Sequence, residues 1–194
     1  MRVTRVRRRG GLFLFGTILL CVAAWLLPGC ESGEETLPEG EMTLSLSSTA
    51  FEEGEAVPTR FTCDGEDISP PLAWGEAPAG ARAFVLIVDD PDAPLGVFTH
   101  WVLFNIPADR RALPEAVPAE EEVLGGAMQG KNGLGRIGYT GPCPPPGSPH
   151  HYRFNLYALD QPLAMAAGAS RTQVLDAMQE HVLAQGRLTG TYQR

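Results

Sequence analysis

DDPDAPLGVFTHWVLFNIP, Asp89–Pro107, carries the reading of the fold. Its second half, HWVLFNIP (His100–Pro107), is a short, nearly unbroken apolar run closed by Pro107. Such a run predicts a strand buried on both faces. Its first half sets Asp89, Asp90 and Asp92 around Pro91 and Pro94. The two prolines fix φ and stiffen a turn, and the carboxylates follow directly on apolar residues. Just upstream, ARAFVLIVDD places Phe84-Val85-Leu86-Ile87-Val88 in a second apolar run, again a strand buried on both faces.

Outward from this centre the pattern stays β. HYRFNLYALD (His151–Asp160) alternates, with Tyr152, Phe154, Leu156 and Ala158 on one side. MTLSLSS (Met42–Ser48) alternates too, and RLTGTY (Arg187–Tyr192) reads as a last short strand. One helix is predicted. Ser170 and Gln173 fit a capping box, and Val174, Leu175, Met178, Val182 and Leu183 form an apolar stripe. Gly186 sits where that helix should stop. No internal repeat is visible. Gly 22 and Pro 17 in 194 residues are high for a helical bundle, since both residues break helices. The predicted fold is mainly β: an antiparallel β-sandwich of two sheets with a packed C-terminal helix.

The N-terminus reads differently. Arg2, Arg5, Arg7, Arg8 and Arg9 form a basic segment, followed by the apolar stretch LFLFGTILLCVAAWLL (Leu12–Leu27) and then Pro28-Gly29-Cys30. This is the layout of a secretion signal, residues 1–29. The LLPGC ending resembles a bacterial lipoprotein signal, with Cys30 as the lipidated first residue of the mature chain. The rival reading is an uncleaved anchor helix, but 16 apolar residues at about 1.5 Å each fall short of a bilayer core of about 30 Å. Both readings place the body outside the cytoplasm, because the arginines stay inside. Residues 30–41 are polar, lack aromatics and read as a flexible tether ahead of a domain spanning 42–194.

Charge narrows the partners. Without residues 1–29 the chain holds 10 basic and 23 acidic residues, a net of −13. A body this acidic is a poor nucleic-acid binder, since phosphates need a basic face.

Several groups of residues have chemical potential. GPCPPPGSPHHY (Gly141–Tyr152) is so rich in proline that it cannot form ladder bonds, but it can hold a rigid wall. His100, His150 and His151 with Asp90 or Asp92 carry metal-ligand side chains. No HExxH or CxxC spacing accompanies them, and His150 and His151 point to opposite faces of a strand. There is no GxSxG elbow for a hydrolase, and GKNGLG (Gly130–Gly135) lacks the GK[ST] ending of a phosphate-binding loop. No metal and no cofactor is expected.

Asp89–Pro107 and GYTGPCPPPGSPHHYRFNLYALD (Gly138–Asp160) together resemble the phosphatidylethanolamine-binding protein family, and in particular its bacterial, Raf kinase inhibitor-like branch. FTCDGEDISPPLAW (Phe61–Trp74) and HVLAQGRLTGTYQR (His181–Arg194) agree with that branch. The resemblance implies a two-sheet sandwich with a small anion pocket at one end. By motif, the pocket residues fall on Asp90, His100, Gly141, Pro142, His150 and Tyr152. The loop at Gly141-Pro142 is expected to offer backbone N–H groups to the anion, since chain near glycine can approach closely. The family usually has Arg after the second histidine, where this chain has His151.

The functional expectation is a non-enzymatic, lipid-anchored protein of the bacterial cell envelope. It binds a small anionic or phosphorylated ligand, such as a phospholipid head group. The alternatives are an inhibitor or regulator of an extracytoplasmic partner protein, and a hydrolase using Asp90, His100 and His150, which lacks a nucleophile. A histidine pKa of about 6.5 predicts anion affinity rising as pH falls from about 8 to about 6. Cys63 and Cys143 form an even pair of thiols outside the cytoplasm, which predicts a disulfide, with two separate buried thiols as the alternative.

Overall fold

The computed structural model of the chain describes residues 43–194. The expected signal segment, the lipidation site Cys30 and the tether lie outside the described residues. Nine strands and one α-helix follow in order. They are β1 (Leu46–Ser47), β2 (Leu72–Trp74), β3 (Ala83–Asp90), β4 (Phe98–Pro107), β5 (Ala112–Leu113), β6 (Glu122–Val123), β7 (Ala127–Gln129), β8 (His150–Leu159), α1 (Arg171–Met178) and β9 (Val182–Tyr192).

These strands build two antiparallel sheets. The larger has the order β6-β7-β4-β3-β8-β9 and the smaller the order β1-β2-β5. Central β3 is buried at all eight positions, Ala83–Val88 as the apolar run requires and Asp89 and Asp90 beyond it. Because side chains alternate, the large sheet feeds two cores. Phe84, Leu86 and Val88 of β3 join Phe154 and Leu156 of β8 in the core that faces the small sheet, with Leu72, Trp74 and Leu113 opposite. Val85, Ile87, Tyr157 and Leu159 face the other way, onto Val174, Leu175 and Met178 of α1. Among the described residues the chain forms the expected two-sheet architecture with one α-helix.

The capping box forms as read. Gln173 N–H donates to Ser170 Oγ at 3.3 Å, and Ser170 N–H donates to Gln173 Oε1 at 2.9 Å. The end of the helix differs from the sequence reading. It stops at Met178, and Val182 and Leu183 belong to β9, which is longer than the predicted Arg187–Tyr192. Gly186 lies inside β9 rather than closing a helix. Its role is close approach: an added Cβ would stand 2.2 Å from the Leu44 carbonyl oxygen, where the N-terminal segment crosses β9. Leu44 N–H donates there to the Gln185 carbonyl at 3.1 Å, which ties up part of the alternation read over Met42–Ser48 and leaves only Leu46–Ser47 as strand.

Buried charge links the helix to the sheet. Arg171, the first residue of α1, donates through Nε to both oxygens of Asp89 at 3.1 and 3.0 Å. Both side chains are nearly sealed from solvent. Asp89 and Asp90 are neighbours in sequence and face opposite sides of β3, so one serves this joint and the other is free to face the opposite end of the first core.

Candidate functional site

At the end of the sandwich where β3 finishes and β4 and β8 begin lies a cavity of about 440 Å³. Asp90, His100, Gly141 and His150, four of the expected site residues, line it. Apolar walls come from Phe98, Pro94, Leu134, Pro144 and Pro145.

Asp90 and His150 arrive on neighbouring strands, β3 and β8. His150 donates from Nδ1 to Asp90 Oδ2 at 2.7 Å, and Asp92 N–H donates to Asp90 Oδ1 at 2.8 Å. The stiff turn after β3 thus folds its own backbone N–H onto the carboxylate, and both oxygens are engaged. Asp90 and His150 are 4% and 9% exposed. His150 keeps Nε2 for the cavity.

His100 reaches the same face through an irregularity in β4. Val88 pairs with Trp101 while Asp89 pairs with Thr99, so His100 is the extra residue of a β-bulge. Regular alternation would set His100 and Trp101 on opposite faces. The bulge lets Trp101 enter the first core while His100 still lines the cavity beside Asp90 and His150. Its ring stands edge-on between Phe98, at 4.8 Å, and Tyr152, at 5.1 Å between centroids. Nδ1 lies 2.7 Å from the Thr140 carbonyl, which can only accept, so Nδ1 carries the proton and Nε2 remains. Burial depresses the His100 pKa below its ordinary value, against the opposing pull of the Thr140 carbonyl and the Asp90 charge.

The other expected residues fall nearby with different surroundings. Tyr152 is 1% exposed and stands behind His100, and its hydroxyl has no hydrogen-bond partner among the described residues. Its pKa is raised by burial and then by the Asp90 charge. Pro142 is also outside the cavity lining; its carbonyl accepts from Cys63 N–H at 3.1 Å. The Gly141 N–H is not open to an anion, because it donates to Asp67 Oδ1 at 2.6 Å. Only glycine fits at 141, since a Cβ would meet the Phe61 carbonyl oxygen at 2.4 Å. The expected donor at Gly141 is corrected here: its N–H is spent on Asp67, and Pro142 and the prolines after it lack N–H groups. His151 points away from His150, as its place on β8 requires. It donates from N–H and Nδ1 to Asp92 Oδ2 at 2.8 and 2.7 Å, and this contact holds the Asp92 pKa below its usual value.

Cys63 and Cys143 form a disulfide with Cα atoms 5.4 Å apart, and both line the cavity. The bond joins the FTCDG segment to the proline loop, so it fixes one cavity wall. Sequence reading missed Asp67, Arg136, Phe98 and Leu134 as lining residues. Leu134 belongs to the glycine-rich segment that failed as a phosphate-binding loop, and Arg136 follows it directly; its glycines were the available signal. Among the described residues, no group of three or more His, Cys, Asp or Glu side chains is placed to hold a metal ion.

The sequence profile of the phosphatidylethanolamine-binding proteins matches residues 47–193. The chain belongs to this family. A UPF0098 protein of Methanothermobacter thermautotrophicus is 50% identical over 151 residues, covering 78% of this chain and 99% of the relative. A Mycobacterium tuberculosis relative, whose name describes a candidate lipoprotein, LppC, is 39% identical over 151 residues, covering 77% of this chain and 72% of the relative. The crystal structure of the phosphatidylethanolamine-binding protein homologue CT736 from Chlamydia trachomatis superposes with a TM-score of 0.72 at 38% identity, covering 79% of this chain and 99% of that one. In this phosphatidylethanolamine-binding protein fold the cavity sits where β3, β4 and β8 meet the proline loop. Among the described residues no helix is long and apolar enough to cross a membrane.

Proposed function

We propose that this chain is a lipid-anchored protein of the bacterial cell envelope that binds a small anionic or phosphorylated ligand. The ligand sits between Asp90, His100, Gly141 and His150, and a phospholipid head group such as phosphoethanolamine suits the size and chemistry. One observation carries this reading. Two buried imidazoles stand in one apolar-walled cavity with each Nδ1 anchored, which leaves each Nε2 to meet a ligand oxygen. When protonated, such a pair donates two charge-assisted hydrogen bonds in a site of low dielectric. The envelope location is supported by the basic and apolar N-terminus ending at Cys30, by the disulfide, and by the name of the mycobacterial relative. Binding rather than catalysis is favoured because both cavity cysteines are locked in the disulfide, which removes the thiolate nucleophile.

Native mass spectrometry of the protein from its own host tests this. A co-purifying phosphorylated small molecule is the expected result, lost in His100→Ala. Ligand-free protein from the host, together with no heat on titration with phosphate or phosphoethanolamine, would sink the reading.

A second reading, regulation of an extracytoplasmic partner protein, draws on the cavity rim. Leu134 lines the cavity, and Leu95 and Val97 flank its lining residues Pro94 and Phe98; these three are exposed at 55, 103 and 51%. Leu95→Asp would then abolish partner capture and leave phosphate binding intact.

A further inference from the structure

We propose that Arg136 is the residue that makes the cavity select anions, gripping a phosphate or carboxylate group at the mouth with its guanidinium. This rests on the ligand-binding reading above and names the group that supplies its permanent charge. The need for such a group follows from the lining. Asp67 and Asp90 are acidic, and a neutral imidazole offers Nε2 as an acceptor only. The Gly141 N–H is spent on Asp67. Arg136 is the sole Lys or Arg among the residues that line the cavity.

Its placement is built rather than incidental. Asn132 is 6% exposed and holds the loop from inside. Its Oδ1 accepts from Leu134 N–H at 3.0 Å and from Arg136 N–H at 3.1 Å. Its own N–H donates to the Arg136 carbonyl at 2.8 Å, and its Nδ2 donates to the Gly138 carbonyl at 3.1 Å. Both backbone groups of Arg136 are therefore bonded to one buried side chain and its backbone. The loop is tied in turn to β4, where Gly133 N–H donates to the Thr99 carbonyl at 2.7 Å, one residue before His100. So the backbone that carries Arg136 is held in register with the imidazole.

The charge is also unspent. Two carboxylates line the same cavity, yet among the described residues the Arg136 guanidinium makes no ion pair and no hydrogen bond. Asp90 has both oxygens engaged and Asp67 is turned to Gly141. A planar, permanently charged fork left open beside a cavity matches the bidentate geometry of phosphate and carboxylate.

Calorimetric titration of the full chain with inorganic phosphate tests this at about pH 8, where an ordinary histidine is neutral. Arg136→Gln is expected to weaken binding by about 10- to 100-fold, the loss of a charged hydrogen-bonding pair. Arg136→Lys, which keeps the charge without the fork, should recover only part of that. The side chain is exposed, so thermal melting should match the parent in both variants. Should Arg136→Gln lose its fold, Arg136→Lys decides alone, and an affinity equal to the parent overturns the proposal. Equal affinity of parent and Arg136→Gln overturns it and leaves the ligand-binding reading standing. A parent that binds no phosphate between about pH 5.5 and 8 sinks both.

Discussion

His150 donates from Nδ1 to Asp90 Oδ2 over 2.7 Å, between two side chains that are 11% and 6% exposed. The contact crosses from β8 to β3 and orients the second imidazole of the cavity. Asp90→Asn replaces an acceptor by a group that can present N–H to Nδ1, which favours the wrong tautomer. We expect phosphate affinity to fall about tenfold and stability to fall by about 1–3 kcal/mol, as a buried charged hydrogen bond is lost. Calorimetry and urea denaturation of parent and variant check both numbers.

The depressed His100 pKa carries a pH prediction. The folded protein binds this proton less readily than the unfolded chain, whose value is near 6.5. Stability contributed by neutral His100 is therefore present above pH 6.5 and is lost as pH falls below it. Asp90 and Asp67 are the charges that act on His100, Arg136 and His150 line the same cavity, and the Thr140 and Gly141 backbone with the Phe98 and Tyr152 rings complete its surroundings. An anion that pairs with protonated His100 reverses the loss. Phosphate affinity should thus rise as pH falls below about 6.5 rather than from about 8, a later onset than an ordinary histidine predicts. Urea midpoints with and without phosphate across that range, repeated on His100→Gln, measure both slopes. A variant with the same slopes as the parent would assign them elsewhere.

The disulfide closes a loop of 80 residues between Cys63 and Cys143. Chain entropy gives such a bond about 4 kcal/mol. The Cys63→Ser, Cys143→Ser pair should lose stability of that order. It should also bind phosphate more weakly, because the wall joining FTCDG to the proline loop is loosened. Labelling of the denatured, unreduced parent should find neither of these cysteines as a free thiol.

Arg171 and Asp89 give the matching control on the far face of β3. Arg171→Ala removes the guanidinium from a buried carboxylate, which costs up to about 3–5 kcal/mol. Denaturation should show the loss. Phosphate affinity of the folded variant should stay within about twofold of the parent, because Asp89 and Arg171 do not line the cavity.

Cys30 governs the anchor if the N-terminus is a lipoprotein signal. Cys30→Ala is expected to leave the precursor uncleaved and without its lipid. Fractionation and mass measurement of the N-terminus check it, and normal processing with membrane retention would remove the lipoprotein assignment.

The strands of the large sheet were legible in sequence because their burial leaves a one-dimensional mark. β3 is apolar from Ala83 to Val88, where both faces meet a core, and the first half of β8 alternates, since there its period-two side chains meet a core on one face. The capping box at Ser170 is local in the same sense: it needs only residues three apart. The end of α1 was not legible, because Val182 and Leu183 are as apolar in a strand as in a helix and only pairing with β8 separates the two. Gly186 misled for the same reason. Its small size answers Leu44, which is remote in sequence and near in space.

At the cavity, the types of residue were written locally and their convergence was not. The stiff Asp-Pro turn, the strand-head histidine and the proline loop each announce themselves. Alternation along β4 would have sent His100 to the opposite face from Asp90, and the bulge that returns it exists only in the pairing of β4 with β3. Asp67 takes the Gly141 N–H, and Asn132 fastens Arg136 at the mouth, through hydrogen bonds that no spacing in the chain records. Most of the secondary structure follows the near neighbours of each residue, the junction of α1 and β9 excepted. The charge and donor set of this cavity depend on which distant loops the closed sandwich brings to one end.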